Sequence, residues 1–362
     1  MIKIAEIVGN SLTGGVTSCV MNYYRNIDRS RFQFDFYTYG PSPIDEEIKE
    51  LGGNVYYIPS IIKFYSAVPK LIKLLKNKRY DIIHSHMTSL SLFPLYAGKR
   101  AKIKGRICHS HSSTYKKEKT KFVKNFLKHF ATLYATDYMG CSLLAIDWMY
   151  GKKASKAVLL PNAIDLEKFS PNDELRNDAR AEYGLENNFV VGHIGRFEYQ
   201  KNHEFLIDIF ADVKKEVLNA KLVLCGIGSL KGKVLDQIKY LGLEDDVLIL
   251  PEIKEVEKYY AMFDVFVLPS RYEGLPLVAV EAQAMDVKCL LSCQISPETS
   301  FSTNCEFLSI DDKSEWVKRL VELSKYPEKS NARDELFRRG YDIKQSVKNL
   351  ENAYQEIANR NN

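Results

Sequence analysis

The 362-residue sequence lacks any pattern of paired cysteines. Its seven cysteines are scattered, only Cys289 and Cys293 lie close together, and no C-x-x-C occurs. That excludes a disulfide framework and a cysteine-rich zinc site, and reads as a chain with reduced thiols in a cytosolic setting. No run reaches the roughly 18 apolar residues of a membrane span. The longest candidate, "LSLFPLYAG" at 90–98, is interrupted by Pro94 and halted by Lys99-Arg100. The opening "MIKIAEIVG" is too short for a signal h-region and carries Glu6, so a buried first strand is expected there. No low-complexity tract and no repeat of about 20–50 residues is visible. Neither G-x-G-x-x-G nor a Walker A loop occurs, which argues against dinucleotide and P-loop chemistry.

What is present is length enough for two domains and 45% apolar residues to fill two cores. Charge is divided unevenly. Residues 1–165 hold 25 Lys/Arg against 12 Asp/Glu, net +13, and residues 166–362 hold 26 against 34, net −8. A basic half joined to an acidic one suggests that the first half meets an anionic surface or ligand.

Short apolar runs alternate with helical patterns along the whole chain. "IKIAEIV", "FQFDFYTY", "NVYYIP", "YDIIHSH", "KGRICHSH", "TDYMGCS" and "AVLLPN" are the strand-like runs of the first half. "FVVGHIGR", "AKLVLCGIG", "DVLILP", "DVFVLPS" and "VKCLLSC" follow in the second. Helices are expected over stretches such as 67–78, 119–134, 202–218, 230–241, 276–285 and 313–325. Such alternation predicts α/β architecture: two Rossmann-like, doubly wound parallel sheets. The boundary is placed near "LPNAIDLEKFSPND" (160–173), giving domains at 1–165 and 166–343. The amphipathic segment 344–362 is expected to pack across the junction or onto the first domain.

Ligands of open parallel sheets sit at the carboxyl ends of strands, so the residues after each run are the candidates. Gly14 and Gly15 follow the first strand and precede a helix, where a backbone can approach an anion. Two strands end in H-x-H, giving His84 and His86, then His109 and His111; strand alternation puts each pair on one side. These four read as a polar pocket that hydrogen-bonds substrate, as buried structural histidines, or least readily as a metal site. In "GHIGRFEYQKN" Arg196 and Lys201 lie five apart at a helix start, a cradle for a diphosphate. In "RYEGLPLVAVEAQA" Glu273 precedes a helix and Glu281 falls in its second turn, about 12 Å apart along a helix. Gly274 frees the backbone to present the amides of 274–277, and Pro276 suits the first helical turn.

These segments resemble, in order, landmarks of the retaining glycosyltransferases of family 4. "RYEGLPLVAVEAQA" resembles the E-x7-E signature, "GHIGRFEYQKN" the donor segment, "LPNAIDLEKFSP" the interdomain segment, and "LTGGVTSCV" the amino-terminal glycine loop. The resemblance implies the GT-B fold, with acceptor on the first domain, nucleotide sugar on the second and a cleft between. It implies that Arg196 and Lys201 bind the donor diphosphate, Glu273 the transferred sugar and Glu281 the ribose. Gly274 and Leu275 would give backbone contacts, Gly15 would lie beside the diphosphate, and Gly226 and Gly228 would border the nucleoside. His111 matches the cleft histidine near the reacting carbon, with His109 as runner-up and His84 and His86 as further acceptor-side candidates. Ala163 stands where the family has glycine, Pro251 likewise, and Ile253 where a basic residue is common, which leaves uridine the softer part of the assignment.

No D-x-D occurs, so no cofactor and no metal are expected: fixed cations and aimed amides would hold the departing diphosphate. Retention by same-face attack is expected, the leaving phosphate oxygen taking the acceptor proton. The stretch "STYKKEKTKFVKNFLKHF" (112–129) sets six lysines beside the stripe Phe122, Val123, Phe126 and Leu127. It predicts an amphipathic helix on an anionic membrane face, hence a cytoplasmic enzyme peripheral to the membrane that acts on a lipid-linked glycan of capsule or exopolysaccharide assembly. Nucleic acid is not expected, because aromatics are not interleaved with the basic residues. Two other readings are a sugar-nucleotide 2-epimerase and a non-catalytic scaffold that binds nucleotide sugar.

Overall fold

Each strand-like run of the first half becomes a strand of one parallel sheet. The computed structural model describes all residues except 10, 11, 13, 112–120, 252–254, 304 and 361–362, and omits the side chains of 121, 123 and 124. The chain divides into two compact units, Met1–Ala163 with Gly340–Asn362, and Ile164–Arg339. The boundaries read from sequence at 165 and 343 thus fall at 163 and 339.

The first unit carries β1 (Ile2–Ile7), β2 (Phe32–Thr38), β3 (Asn54–Tyr57), β4 (Ile82–Ser85), β5 (Gly105–Ser110), β6 (Asp137–Gly140) and β7 (Ala157–Leu159), in the order β3-β2-β1-β4-β5-β6-β7. Register sets Ile4 beside both Phe34 and Ile82. All pairings are parallel, which requires helical crossovers on both faces. The inner strands are accordingly largely buried, polar residues included, and aromatic packing such as Tyr24 stacked on Phe34 at 5.0 Å fills one face.

The second unit carries β8 (Phe189–Ile194), β9 (Ala220–Cys225), β10 (Val247–Leu250), β11 (Val265–Leu268), β12 (Lys288–Ser292) and β13 (Cys305–Leu308), in the order β10-β9-β8-β11-β12-β13. The order reverses between β8 and β11, and the loops at their carboxyl ends carry the diphosphate and sugar candidates. Phe210, Leu222, Val265 and Trp316 lie in its core, all fully buried.

The last helix, Ile343–Asn359, belongs to the first unit. Tyr23 Oη shares a 2.6 Å hydrogen bond with Ser346, Tyr354 donates to Glu6, and Arg360 pairs with Asp137. Of the two positions expected for this segment, the structure takes the one on the first unit. Ala163 is buried without a positive φ, so the turn that glycine usually makes is formed here without left-handed backbone.

Candidate functional site

In the second unit, β8 runs straight into Gly195-Arg196. A Cβ at Gly195 would lie 3.1 Å from Lys201 Cδ, so glycine is what lets the lysine stem lie across this loop. The neighbouring β9 loop closes on the same turn. Phe197 N–H donates to Ile227 O at 2.9 Å, and a Cβ on Gly226 would stand 2.2 Å from Gly195 O. Gly226 and Gly228, expected to border a nucleoside, thus also serve to bring two loops into contact. Asn202, in left-handed backbone at φ 59, starts the helix His203–Glu216 and donates to Pro269 O at 3.1 Å. The β8 and β11 loops are further tied by Arg271 N–H to Gln200 O and Gln200 Nε2 to Tyr272 O.

This stitching brings Lys201 and Glu273 together. Lys201 Nζ stands 2.7 Å from Glu273 Oε1, with side-chain exposures of 14% and 12%. Ser270 donates to the same carboxylate at 3.3 Å, and Glu273 forms a backbone bridge with Ile295. Arg196 is exposed and makes no ion pair among the described residues, so its charge stays available to an anion. Leu275 is buried, and the next helix, Leu277–Ala284, begins one residue later than the first-turn placement of Pro276, which occupies the cap instead. Glu281 sits in that helix and accepts from Tyr260 Oη at 2.7 Å. Burial raises its carboxyl above the usual range, opposed by that hydrogen bond. Tyr260 was not identified from sequence: one of two adjacent tyrosines, Tyr259 and Tyr260, it carries no signal of a partner 21 residues away.

In the first unit the four expected histidines do converge. His84 and His86 have ring centroids 4.1 Å apart, as do His109 and His111. His84 Nε2 and His109 Nδ1 share a hydrogen bond at 3.0 Å, and His86 Nδ1 and His111 Nε2 share one at 2.8 Å. Both pairs end on one acid. His86 Nε2 is 2.7 Å from Glu6 Oε2, while His84 Nδ1 is 2.7 Å from Tyr354 Oη, which donates to Glu6 Oε1 at 2.9 Å. One expectation is corrected here: His84 and His109 are each 1% exposed and His86 7%, so they hold one another rather than an acceptor, and His111 alone of the four is part-exposed, with its Nδ1 buried and its Nε2 on His86. Burial lowers all four below the usual imidazole range, His86 to about 3, and raises Glu6 to about 8. The ligating atoms of His84, His86 and His109 lie within 4.8 Å of one another, close enough for a cation to gather. Five of their six nitrogens are spent on one another, on His111, on Glu6 and on Tyr354, His109 Nε2 alone having no partner among the described residues, so an ion bound by all three would have to break some of these bonds. Gly15 opens the helix Gly15–Asn26, with nothing within 4 Å of where a side chain would project.

The basic stretch is described from residue 121, as the helix Lys121–Ala131; its part at 112–120 lies outside the described residues. Phe122, Phe126 and Phe130 are exposed, and Lys128 donates to Trp148 O at 3.2 Å. Among the described residues no helix is long and apolar enough to cross a membrane.

Comparison with known proteins decides the family. Residues 13–168 match the family described as Glycosyltransferase Family 4, and residues 176–332 that described as Glycosyl transferases group 1. EpsF of Bacillus subtilis (strain 168), a glycosyltransferase by name, is 32% identical over 370 residues, covering 97% of this chain and 96% of EpsF. The chain belongs to glycosyltransferase family 4. This transferase is also 26% identical over 317 residues to the UDP-Gal:alpha-D-GlcNAc-diphosphoundecaprenol alpha-1,3-galactosyltransferase of Escherichia coli, covering 80% of this chain and 79% of that one. CapH of Staphylococcus aureus, named a capsular polysaccharide biosynthesis glycosyltransferase, is 26% identical over 300 residues, covering 78% and 79%. The crystal structure of HepE from Anabaena in complex with UDP superposes with TM-score 0.79 at 17% identity, covering 98% of this chain and 100% of HepE. That likeness establishes the GT-B fold expected from the sequence: two Rossmann-like parallel-sheet domains.

Proposed function

We propose that this transferase moves a hexose or N-acetylhexosamine from a UDP-sugar to a lipid-linked glycan in capsule or exopolysaccharide assembly, with retention and without a metal ion. The observation that carries the reading is the enclosed Lys201–Glu273 pair, with Arg196, exposed and without an ion pair among the described residues, in the same loop after β8. A diphosphate arriving there meets two cations, and Glu273, released from Lys201, can accept hydrogen bonds from sugar hydroxyls. Glu281, held by Tyr260 through one oxygen, has its other for ribose. Fixed cations act most strongly on charge that develops as the sugar–phosphate bond breaks. The acceptor hydroxyl attacks from the face the diphosphate leaves, and its proton passes to the departing phosphate oxygen. The first unit is the acceptor side, His111 being its substrate-facing histidine.

Uridine and a lipid-linked acceptor are supported by relatives: HepE was crystallised with UDP, and the E. coli enzyme is named for UDP-Gal and a diphosphoundecaprenol acceptor. The exposed phenylalanines of the helix Lys121–Ala131 fit a peripheral site on the inner membrane face. The test is a screen of UDP-hexoses and UDP-N-acetylhexosamines against membrane lipid extracts, with EDTA present and mass analysis of products. A mass gain of one sugar on a lipid, and slow UDP release without acceptor, is expected. Free sugar with no lipid product would point to an epimerase, and no UDP release from any donor to a scaffold.

A further inference from the structure

The two imidazole pairs share one acid, and that connection fixes where their protons lie. An ionised carboxylate offers only acceptors, so His86 Nε2–H and Tyr354 O–H must both point at Glu6. With Nε2 protonated, neutral His86 has a lone pair on Nδ1 and accepts from His111 Nε2–H, which leaves His111 Nδ1 an acceptor. In the other arm Tyr354 has spent its proton on Glu6, so His84 donates from Nδ1 and accepts on Nε2 from His109 Nδ1–H. The orientation of five groups thus follows from the charge on Glu6.

A proton on Glu6 must reverse one arm, and the structure distinguishes them. Reversing the Tyr354 arm would leave an N–H at His109 Nε2, a buried atom with no partner among the described residues. A buried donor left without an acceptor is disfavoured, since it has given up its hydrogen bond to water. Reversing the His86 arm leaves an N–H at His111 Nδ1, which likewise forms no hydrogen bond among the described residues but, unlike His109 Nε2, has a side-chain amide, that of Asn162, beside it. An amide can turn either its oxygen or its nitrogen to the ring, so Asn162 can satisfy both states. The titratable groups lining the cavity with Glu6 are His84 on β4 and His86 just after it, His109 on β5, Cys19 and Tyr23 on the helix Gly15–Asn26, and Tyr354 on the last helix. None of these is a fixed cation that would hold Glu6 ionised regardless of pH.

We propose that Glu6 is a positioning residue for His111: ionised, it makes His111 Nδ1 a hydrogen-bond acceptor, and protonated, a donor, with His86 carrying the change between them. The step is a proton shuffle with no net oxidation. A proton gained at His111 Nδ1 is matched by transfer of its Nε2 proton to His86 Nδ1, and of the His86 Nε2 proton to the Glu6 carboxylate. His111 thereby changes its hydrogen-bonding sense without becoming an imidazolium, which burial disfavours. The kinetic consequence rests on the reading of His111 as substrate-facing.

The experiment is long-range proton–nitrogen spectroscopy of the full chain with labelled histidine, from pH 6 to 9.5. In the wild type, His86 and His111 are expected to exchange the Nδ1–H form for the Nε2–H form together as pH rises, at one midpoint near that of Glu6, about 8. His84 and His109 should stay Nδ1–H throughout. In Glu6→Gln the amide offers N–H donors at one end and a carbonyl at the other and does not titrate, so His86 and His111 should each hold one tautomer at every pH. Independent titration of either ring to imidazolium, or tautomers indifferent to pH, would overturn the proposal from the wild type alone. Tautomers in Glu6→Gln that still change with pH would overturn it equally. With a UDP-sugar and lipid acceptor, kcat should change about tenfold across the same midpoint in the wild type and not in Glu6→Gln. Concerted exchange with a flat kcat would leave the network standing and remove His111 from the reaction.

Discussion

Lys201 and Glu273 are separated by 72 positions and end 2.7 Å apart, and both were legible in the sequence for one reason. Each follows a strand of a parallel sheet, and strand ends are where such sheets bind. Replacing Lys201 with alanine removes a cation aimed at the departing diphosphate, so kcat should fall by about 10²-fold or more with little change in Tm. Near-normal turnover of UDP-sugar and acceptor would refute the assignment. Glu6 and Tyr354 were not legible as partners, being 348 residues apart with no spacing that could link them. They nevertheless shape the response to pH. Six histidines (His84, His86, His109, His111, His193 and His203) are held by burial below the usual imidazole range. The unfolded chain takes up their protons near pH 6.5 and the folded chain does not, so stability is complete above 6.5 and lost as pH falls. Glu6 acts oppositely: between the ordinary 4.5 of a glutamate and its folded value of about 8 the folded chain holds the extra proton, and stability declines as pH rises through that range. Six groups outweigh one, so Tm should climb from pH 5 to about 6.5, then dip toward 8. Calorimetry should show the dip vanish in Glu6→Gln, and a Tm higher at pH 5 than at pH 7 would mean the histidines are not buried as neutral rings.

At the scale of elements, β-branched and apolar runs bounded by turn residues marked twelve of the strands. The exception was β13, "CEFL", whose four residues carry Glu306 in their middle. Glu306 is tolerated because Lys288 lies 2.5 Å away and Arg319 2.8 Å, partners that nothing local in the sequence announces. The helix Lys121–Ala131 was legible from its pattern, and its outer face is the element that makes a membrane prediction possible. Phe122 is 88% exposed and Phe126 64%, so neither stabilises the folded unit appreciably. Burying one phenylalanine in a lipid interface gains roughly 1.5–3 kcal/mol. Phe122→Ser with Phe126→Ser should therefore weaken co-sedimentation with anionic vesicles by about tenfold or more while leaving Tm unchanged. Equal binding by the double variant would take this helix out of any membrane contact.

For the molecule as a whole, the sequence showed two sheets in series but left the last helix two places to dock. An amphipathic pattern says which face is buried, not what buries it. The structure resolves this through chemistry distributed over the chain: Ile343, Val347, Leu350, Tyr354 and Ile357 are buried on the first unit, 180 residues after Ala163 closes its continuous part. The first unit is thus completed by the end of the chain, whereas Ile164–Arg339 is one uninterrupted segment. Truncation after Arg339 should then damage the two units unequally. Losing five large apolar side chains at roughly 1.5–3 kcal/mol each removes about as much as a typical domain's entire stability. It also strips the Tyr354 hydroxyl from Glu6 and leaves a buried acid half-satisfied. Hydrogen exchange on the truncated chain should show protection collapsing in β1 and β4 while that in β8 and β9 stays at the full-length level. Equal protection of both sheets would mean that the first unit folds without its last helix, and that the Tyr354–Glu6 contact is dispensable to it.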